Sequence, residues 1–196
     1  GKLDEAALRR LVDIQIQEGI DGLVPVGTTG ESPTLSPEET SAVIRIVVEQ
    51  ARGKVPVIAG AGSNSTEKAI HLTEEAKKLG ASASLQVAPY YNKPTAEGFY
   101  RHFTAIADAV DLPMVIYNIP GRTGKNIENS TMLKLAQHRN IVAVKEASGD
   151  IGQMMNLIAQ KPERFAVLSG DDNLAFPLIA LGGKGVISVA SNLVPG

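Results

Sequence analysis

Short apolar runs alternate with longer amphipathic stretches along the whole chain. Each short run is rich in Val, Ile and Ala and is apolar at consecutive positions, which is typical of strands buried on both faces of a parallel sheet. Gly, Pro or charged residues bound these runs. The pattern predicts seven strands, at residues 22–26, 55–59, 83–88, 113–117, 141–145, 165–169 and 185–189.

The stretches between the predicted strands carry apolar residues three and four positions apart, as on one face of a helix. A helix start is predicted at Ser36, because a capping hydroxyl, Pro37 at the first helical position and Glu39 three residues after the cap form a capping box. Two core-facing stripes stand out: Leu8, Leu11, Val12, Ile16 and Ile20 form the first, and Val43, Ile46, Val47 and Gln50 form the second.

Strands apolar on both faces that alternate with helices predict an α/β fold, with one domain over residues 1–196. The sheet is either a (β/α) barrel or an open doubly wound sheet. Neither glycine-rich segment fits a nucleotide fingerprint: residues 60–65 lack the third glycine, and residues 121–125 lack the first glycine and a following Ser or Thr. A nucleotide site is therefore not expected.

Composition narrows the function further. The 19 basic and 21 acidic residues are mixed along the chain and give a net charge of −2, so no basic surface for nucleic acid is predicted. The apolar runs are too short for a membrane span, and the first residues do not resemble a signal peptide. There is no cysteine, which fits a cytoplasmic location. The three histidines lie far apart in sequence, so neither a metal nor another cofactor is expected.

Polar side chains cluster where the predicted strands end. The clusters are Thr28 to Ser32, Tyr90 to Asn92, Tyr117 with Asn118, Lys145 with Glu146, and Asp171 with Asp172. The carboxyl ends of barrel strands meet at one mouth, where such folds carry their active sites. The turn around Thr28 and Thr29 offers N–H and hydroxyl groups for an anion.

Lys145 is the most informative residue, because it alone of eleven lysines lies within an apolar strand. Strand alternation places it on the face of Ile141 and Ala143, which is the barrel interior if Val142 and Val144 face the helices. Burial lowers the pKa of an ammonium group, and a partly neutral lysine is a nucleophile toward carbonyl carbon. The alternative is a structural ion pair with a neighbouring carboxylate.

Five motifs together resemble the dihydrodipicolinate synthase family, within the pyruvate-dependent class I aldolase and N-acetylneuraminate lyase superfamily. They are Gly-Thr-Thr-Gly-Glu-Ser at 27–32, Pro-Tyr-Tyr-Asn at 89–92, Tyr-Asn-Ile-Pro-Gly-Arg-Thr-Gly at 117–124, Val-Lys-Glu-Ala at 144–147 and Gly-Gly-Lys-Gly-Val-Ile-Ser at 182–188. The resemblance implies a (β/α)8 TIM barrel, a homotetramer and a lyase of lysine (diaminopimelate) biosynthesis. Its substrates would be pyruvate and L-aspartate 4-semialdehyde, and its product 4-hydroxy-tetrahydrodipicolinate.

The resemblance also implies a catalytic role for four residues. Lys145 would form the pyruvate imine, and Tyr117 would transfer protons beside it. Thr28 would link Tyr117 to Tyr91, a tyrosine that reaches in from a neighbouring subunit in the family pattern.

Four further residues are implied to bind substrate. Thr29 would bind the carboxylate of pyruvate, and Arg122 the carboxylate of the semialdehyde. Gly170 and Ile187 would line the pocket through backbone groups. Arg122 also favours the synthase over other pyruvate lyases of the superfamily, which generally lack this arginine.

The length departs from the family, since an eight-stranded barrel takes about 250 residues and only seven strands are predicted here. We therefore expect an incomplete barrel that lacks the first strand and the C-terminal helices. Two alternatives to the synthase remain: another pyruvate-dependent aldolase or lyase, or a non-catalytic fragment that only binds oxo acids or barrel subunits.

Overall fold

The computed structural model describes residues 2–195. Within them, six parallel strands form one sheet in which each strand pairs with the next strand along the chain. A doubly wound sheet reverses its strand order, so this unbroken order is that of a (β/α) barrel. The strands are β1 (Ile58–Gly60), β2 (Ala83–Val87), β3 (Met114–Asn118), β4 (Ile141–Glu146), β5 (Ala166–Ser169) and β6 (Gly185–Val186).

The strand predicted at residues 22–26 is present only as a single parallel bridge between Leu23 and Val57. Leu23 N donates to Pro56 O at 3.0 Å, and Gly60 N donates to Pro25 O at 3.0 Å. Pro25 and Pro56 have no N–H to continue the ladder, and Val26 has a φ of 52°, which turns the chain out of the extended conformation. The prediction of seven full strands is therefore wrong for the first of them.

Helices connect the strands, as the apolar stripes predict. They are α1 (Glu5–Gln17), α2 (Pro37–Ala51), α3 (Thr66–Lys78), α4 (Ala96–Ala109), α5 (Pro120–Thr123), α6 (Asn129–Leu135), α7 (Ile151–Gln160) and α8 (Asp172–Ala180). The capping box at the start of α2 is confirmed, with the Ser36 side chain accepting from Glu39 N and Glu39 accepting from Ser36 N. In α1, Val12 is buried, whereas Leu11 of the predicted stripe is 39% exposed.

The sheet has two apolar faces. The outer face packs on the helices through Ile116, Val144 and Val167. The inner face gathers side chains from Val24, ahead of β1, to Ile187, after β6, into one cluster. The unbroken parallel order and this shared inner face are those of a sheet that curls into an incomplete barrel.

A bulge near the start of β4 changes the predicted alternation. Met114 pairs with Ile141, but Val115 pairs with Ala143, so Val142 is an extra residue. Ile141 consequently joins the outer cluster while Ala143 joins the inner one. The prediction that Ile141 shares a face with Lys145 is wrong, and the same prediction for Ala143 is correct.

The two ends of the curled sheet are tied together through α1. The buried side chain of Gln15 donates from Nε2 to the carbonyl oxygen of Ser191 at 2.8 Å. This bond joins residues 176 positions apart in sequence. The carboxyl ends of the strands thus surround one mouth.

Candidate active site

Lys145 and Tyr117 lie side by side at this mouth, because they are register partners on β4 and β3. Lys145 Nζ is 4.2 Å from the centroid of the Tyr117 ring. Both side chains extend from the inner face, where Tyr117 packs in the apolar cluster. The two residues that strand register brings together are those predicted to form the imine and to transfer its protons.

Burial is the main influence on the Lys145 amine, and it lowers the pKa below the ordinary lysine value. Asp171 and Asp172 oppose this by favouring the ammonium form, whereas the positive charge of Arg122 lowers the pKa further. Among residues 2–195, the salt bridges within 4.0 Å do not include Lys145, so the structural ion pair is not formed. A desolvated amine without a close counter-ion is suited to nucleophilic attack.

Tyr117, the predicted proton-transfer residue, is buried, with 8% of its surface exposed. Burial raises the pKa of its phenol, Arg122 lowers it, and Asp171 raises it. The hydroxyl is therefore protonated at neutral pH and can donate a proton to a leaving hydroxyl group.

Gly170 packs directly against Lys145, and a side chain at this position would collide with its neighbours. A Cβ at this position would lie 2.7 Å from Ala147 Cβ and 3.1 Å from Lys145 Cε. Gly170 N donates to Glu146 O at 2.8 Å, and Ile187 N donates to Ser169 O at 2.9 Å. Gly170 thus lies beside the Lys145 side chain, and Ile187 packs against the inner cluster.

Thr28 and Thr29 form a 3-10 turn (Thr28–Gly30) and are exposed. Glu31 closes the turn in the left-handed region, with a φ of 54°, and its N–H donates to Thr28 O at 3.0 Å. Among the described side chains, Thr28 is not hydrogen-bonded to Tyr117 or to Tyr91. The relay through Thr28 stays a prediction.

Tyr91 projects away from the chain rather than into the mouth. Its side chain is 91% exposed, and its φ of 70° lies in the left-handed region, which is uncommon outside glycine. The next residue is fixed, since Asn92 Nδ2 donates to Asn64 O at 2.8 Å and Asn64 Nδ2 donates to Asn92 Oδ1 at 3.1 Å. Tyr91 is thus presented on a short anchored loop.

Arg122 lies on α5, a single helical turn that follows β3. Thr123 anchors this turn, being buried and donating its hydroxyl to Ile119 O and Lys125 O, each at 3.1 Å. Arg122 itself is exposed, but its charge reaches Lys145 and Tyr117. It can therefore meet an anionic substrate at the rim of the mouth.

Two buried polar residues, Asn118 and Glu146, are site features to which sequence reasoning assigned no role. They are the register partners immediately after Tyr117 and Lys145, and they are 0% and 1% exposed. Burial raises the pKa of the Glu146 carboxyl, and hydrogen bonds from Asn118, Ser148 and Gln153 counteract the shift. The sequence signal that could have indicated them is an amide and a carboxylate, each at the end of an apolar strand.

Asp172 is another residue without an assigned role, and it hydrogen-bonds the backbone of the chain after β6. Its Oδ2 accepts from Val189 N at 3.1 Å and from Ala190 N at 3.0 Å. A hydrogen bond with Ser188 and these two backbone bonds lower the pKa of the carboxyl despite slight desolvation. A carboxylate at the start of α8 thereby fixes the segment that follows Ile187.

The histidines lie outside the mouth. His102 is buried, accepts or donates at Nδ1 with Thr66 Oγ1 at 2.9 Å, and has its pKa lowered to about 4 by burial. Residues 2–195 contain no group of three or more His, Cys, Asp or Glu side chains placed to hold a metal ion. In the same part of the chain, no helix combines the length and apolar character that crossing a membrane requires.

Comparisons with known proteins agree with this geometry. The sequence matches the dihydrodipicolinate synthetase family over residues 1–196. It is 56% identical to the 4-hydroxy-tetrahydrodipicolinate synthase of Trichlorobacter lovleyi, over all of this chain and 67% of that protein.

Solved structures give the same result. The fold matches the dihydrodipicolinate synthase of Acinetobacter baumannii, crystallised with pyruvate, with a TM-score of 0.98 and 49% identity over all of this chain and 67% of that one. It also matches a monomeric dihydrodipicolinate synthase variant, with a TM-score of 0.98 and 45% identity over all of this chain and 66% of that one. The chain thus spans about two thirds of the length of these relatives. With the whole sequence matched and the lysine and tyrosine of the motifs paired at the mouth of the barrel, the chain belongs to the dihydrodipicolinate synthase family.

Proposed function

We propose that the protein is a Schiff-base-forming lyase that condenses pyruvate with L-aspartate 4-semialdehyde to 4-hydroxy-tetrahydrodipicolinate, in lysine biosynthesis. The observation that carries the proposal is the desolvated amine of Lys145 beside the protonated phenol of Tyr117, on the inner face of an incomplete barrel. A close relative crystallised with pyruvate supports the first substrate.

The chemistry begins at Lys145. Its neutral amine adds to the C2 carbonyl carbon of pyruvate, and the carbinolamine hydroxyl leaves as water with a proton from Tyr117. The phenolate of Tyr117 left by this step takes up a C3 proton from the protonated imine, which gives an enamine and restores the phenol. The enamine carbon attacks the aldehyde of the second substrate, whose amino group then displaces Lys145 from the imine carbon. The ring closes, the lysine is regenerated, and one water is released overall.

The remaining predicted residues would bind and relay. Thr29, at an exposed turn with free N–H groups, would hold the pyruvate carboxylate, and Gly170 and Ile187 would line the pocket beside it. Arg122 would grip the carboxylate of the semialdehyde, since a guanidinium forms two parallel bonds to that group. This arginine is what favours the synthase over another pyruvate aldolase of the superfamily.

We also infer an assembly in which Tyr91 completes the site of a neighbouring subunit, with Thr28 as the link to Tyr117. The support is the 91% exposure of Tyr91 on an anchored loop. A homotetramer is the family expectation, and a monomeric variant among the solved relatives makes the assembly a matter for measurement. The cytoplasmic location stays a prediction.

Borohydride trapping tests the proposal and its non-catalytic alternative together. Incubation with pyruvate and sodium borohydride should attach one reduced pyruvate to the protein, at Lys145 in a peptide map. The Lys145→Met variant should give no adduct, whereas Lys134→Met, which removes an exposed lysine from α6, should behave like the unmodified protein. An adduct on a different lysine, or none in a sample shown to be folded by circular dichroism, would overturn the mechanism.

A further inference from the structure

Strands β3 and β4 carry two side-chain pairs at consecutive register positions. Tyr117 and Lys145 form the inner pair, and Asn118 and Glu146 the next. Because strand side chains alternate between faces, the second pair extends outward, behind the reactive pair. Both of its members are almost wholly buried, at 0% and 1% exposure.

The outer pair is joined by direct hydrogen bonds across the two strands. Asn118 Nδ2 lies 3.2 Å from Glu146 Oε1 and 3.1 Å from Oε2, and it donates to the carboxylate. Ser148 N donates to Oε1 at 2.7 Å, and Gln153 Nε2 to Oε2 at 3.4 Å. Glu146 is thereby tied to β3, to its own following loop and to α7.

Asn118 extends the same connection to the segment that carries Arg122. Its Oδ1 accepts from Ile127 N at 3.1 Å, and its Nδ2 also donates to Asn126 Oδ1 at 2.9 Å. These bonds hold the chain where it returns from α5 toward α6. One buried pair therefore joins the strands of Lys145 and Tyr117 to the residues that follow the turn of Arg122.

We propose that Asn118 and Glu146 form a cross-strand clamp that fixes Lys145 against Tyr117, and that both are positioning residues for imine formation. The inference rests on the proposed function. The charges that perturb the Lys145 amine are those of Asp171, Asp172 and Arg122. Glu146 accordingly acts through geometry, by holding the strands.

The sheet itself explains why such a clamp is useful. The register of β3 and β4 shifts between Met114 and Val115, so the ladder alone is irregular at the amino ends of these strands. A buried carboxylate is costly compared with a packed apolar pair, but a polar pair with matched partners specifies one alignment. The clamp lies at the carboxyl ends, where the reacting groups need that alignment.

Exchange of donor and acceptor tests the clamp. Asn118→Asp places two carboxylates face to face and opens the clamp. Glu146→Gln keeps one oxygen that can accept from Asn118 Nδ2, but its amide nitrogen replaces the second oxygen and faces the donors of Asn118 and Gln153, so this variant weakens the clamp. The double variant Asn118→Asp with Glu146→Gln restores one donor opposite one acceptor. Asn156→Asp, on the exposed part of α7, makes the same chemical change outside the network and is the matched control.

The rate of borohydride-trapped imine formation is measured as a function of pyruvate concentration, per folded molecule and below the melting temperature. Asn118→Asp should lower the maximum rate by about a hundredfold, the loss expected for a misplacement near 1 Å, and Glu146→Gln should lower it by a smaller factor. The half-saturating pyruvate concentration should hardly change, because the carboxylate is proposed to bind at the Thr28–Gly30 turn. The double variant should recover at least about tenfold of the loss, as coupled residues do, and the control should match the unmodified protein.

Three outcomes would overturn the clamp: single variants with lower melting temperatures but unchanged maximum rates, a double variant no faster than either single, or a rise in half-saturating pyruvate alone. If Asn118→Asp does not fold, Glu146→Gln introduces no charge and carries the test.

Failure of the proposed function shows separately, as the absence of trapping in the unmodified protein. The clamp is then read from the acylation rate of Lys145 relative to Lys134 with a neutral acylating reagent such as acetic anhydride. Opening the clamp should bring this ratio closer to one, and an unchanged ratio would contradict it.

Discussion

At the residue scale, the burial that would make the Lys145 amine reactive also makes it destabilising for the fold. Burial beside Gly170 and Tyr117 removes water from an ammonium group, and the nearest carboxylates do not form a close ion pair with it. The protein thus holds a destabilised side chain where the chemistry needs a neutral amine. Active sites commonly give up stability in this way.

Lys145→Met should therefore stabilise the fold while abolishing trapping. We expect a gain of roughly 0.5–2 kcal/mol at pH 7, the usual range for relieving such a site. The sign with pH follows from the lowered pKa of Lys145, because the unfolded chain holds this proton more tightly than the folded chain. The folded protein regains this stability as pH rises from the lowered pKa to the ordinary lysine value.

The advantage of Lys145→Met should consequently shrink between those two pH values. Urea unfolding of both proteins at several pH values measures it, and the difference removes the titration of all other groups. Lys134→Met is the control, with no gain expected from an exposed lysine. A Lys145→Met protein less stable than the unmodified one at pH 7 would show that the amine is favourably paired in the folded state.

The unusual position of Lys145 could be predicted from sequence, whereas the buried pair of Asn118 and Glu146 could not. A lone lysine in an apolar strand conflicts with its surroundings, and that conflict is visible without a structure. Glu146 directly follows it and resembles an ordinary polar residue at a strand end. Its burial depends on Asn118, 28 positions away, and on the register that aligns the two strands. The bulge at Val142 likewise has no local signal, so alternation misplaced Ile141.

At the scale of elements, α5 would separate the proposed recognition of the second substrate from imine chemistry. Its anchor is buried Thr123, bonded at 3.1 Å to Ile119 O and Lys125 O, while Arg122 on the same turn is exposed. The turn can therefore keep its shape when Arg122 is replaced. Recognition of the second substrate can then change without disturbing β3 or β4.

Arg122→Ala should spare the first half of the reaction and damage the second. Hydrogen bonds to a charged group contribute about 1.5–3 kcal/mol each, so losing two should reduce turnover with aspartate semialdehyde by about a hundredfold or more. Trapping of pyruvate should change little. Arg122→Lys should remain impaired, because an ammonium does not reproduce the paired geometry. Coupled turnover assays beside borohydride trapping measure both steps, and an equal loss of both would assign Arg122 a structural role.

The presence of strands and helices could be predicted more accurately than the residues at which they begin and end. Periodicity located β1 to β6, and the capping box located the start of α2. The segment at residues 22–26 has the composition of a strand, but Pro25 and Pro56 remove two ladder donors and Val26 turns away. The apolar composition of a segment predicts that it is buried. Whether it pairs as a strand depends also on the backbone N–H groups of that segment and of its neighbour.

At the scale of the whole molecule, the mouth collects residues from the entire chain. The inner cluster includes residues from Val24 to Ile187. The hydrogen bond from Gln15 to Ser191 joins the region before the first strand to the region after β6. These contacts join residues that are far apart in sequence. Predicting them required both the expectation of parallel strands and the resemblance of the motifs to a known family. Tyr91 is 91% exposed, and its proposed role would connect the site to assembly.

Complementation between two defective variants tests that connection. Tyr91→Phe removes the hydroxyl that one subunit would lend, and Lys145→Ala removes the nucleophile of the subunit that would borrow it. In a two-fold symmetric pair, each surface meets its own copy, so a mixed pair contains one site with both groups intact and one site with neither. Each mixed pair has one intact site of two, so about half of the sites in purified mixed pairs should recover. The measurement is turnover after co-expression with two different affinity tags and sequential purification of mixed assemblies.

Tyr100→Phe, on α4 and outside the mouth, replaces Tyr91→Phe in the control and should be active without a partner. Mixed assemblies with no more activity than the separate variants would place Tyr91 outside the active site and leave the chemistry to the residues of a single chain.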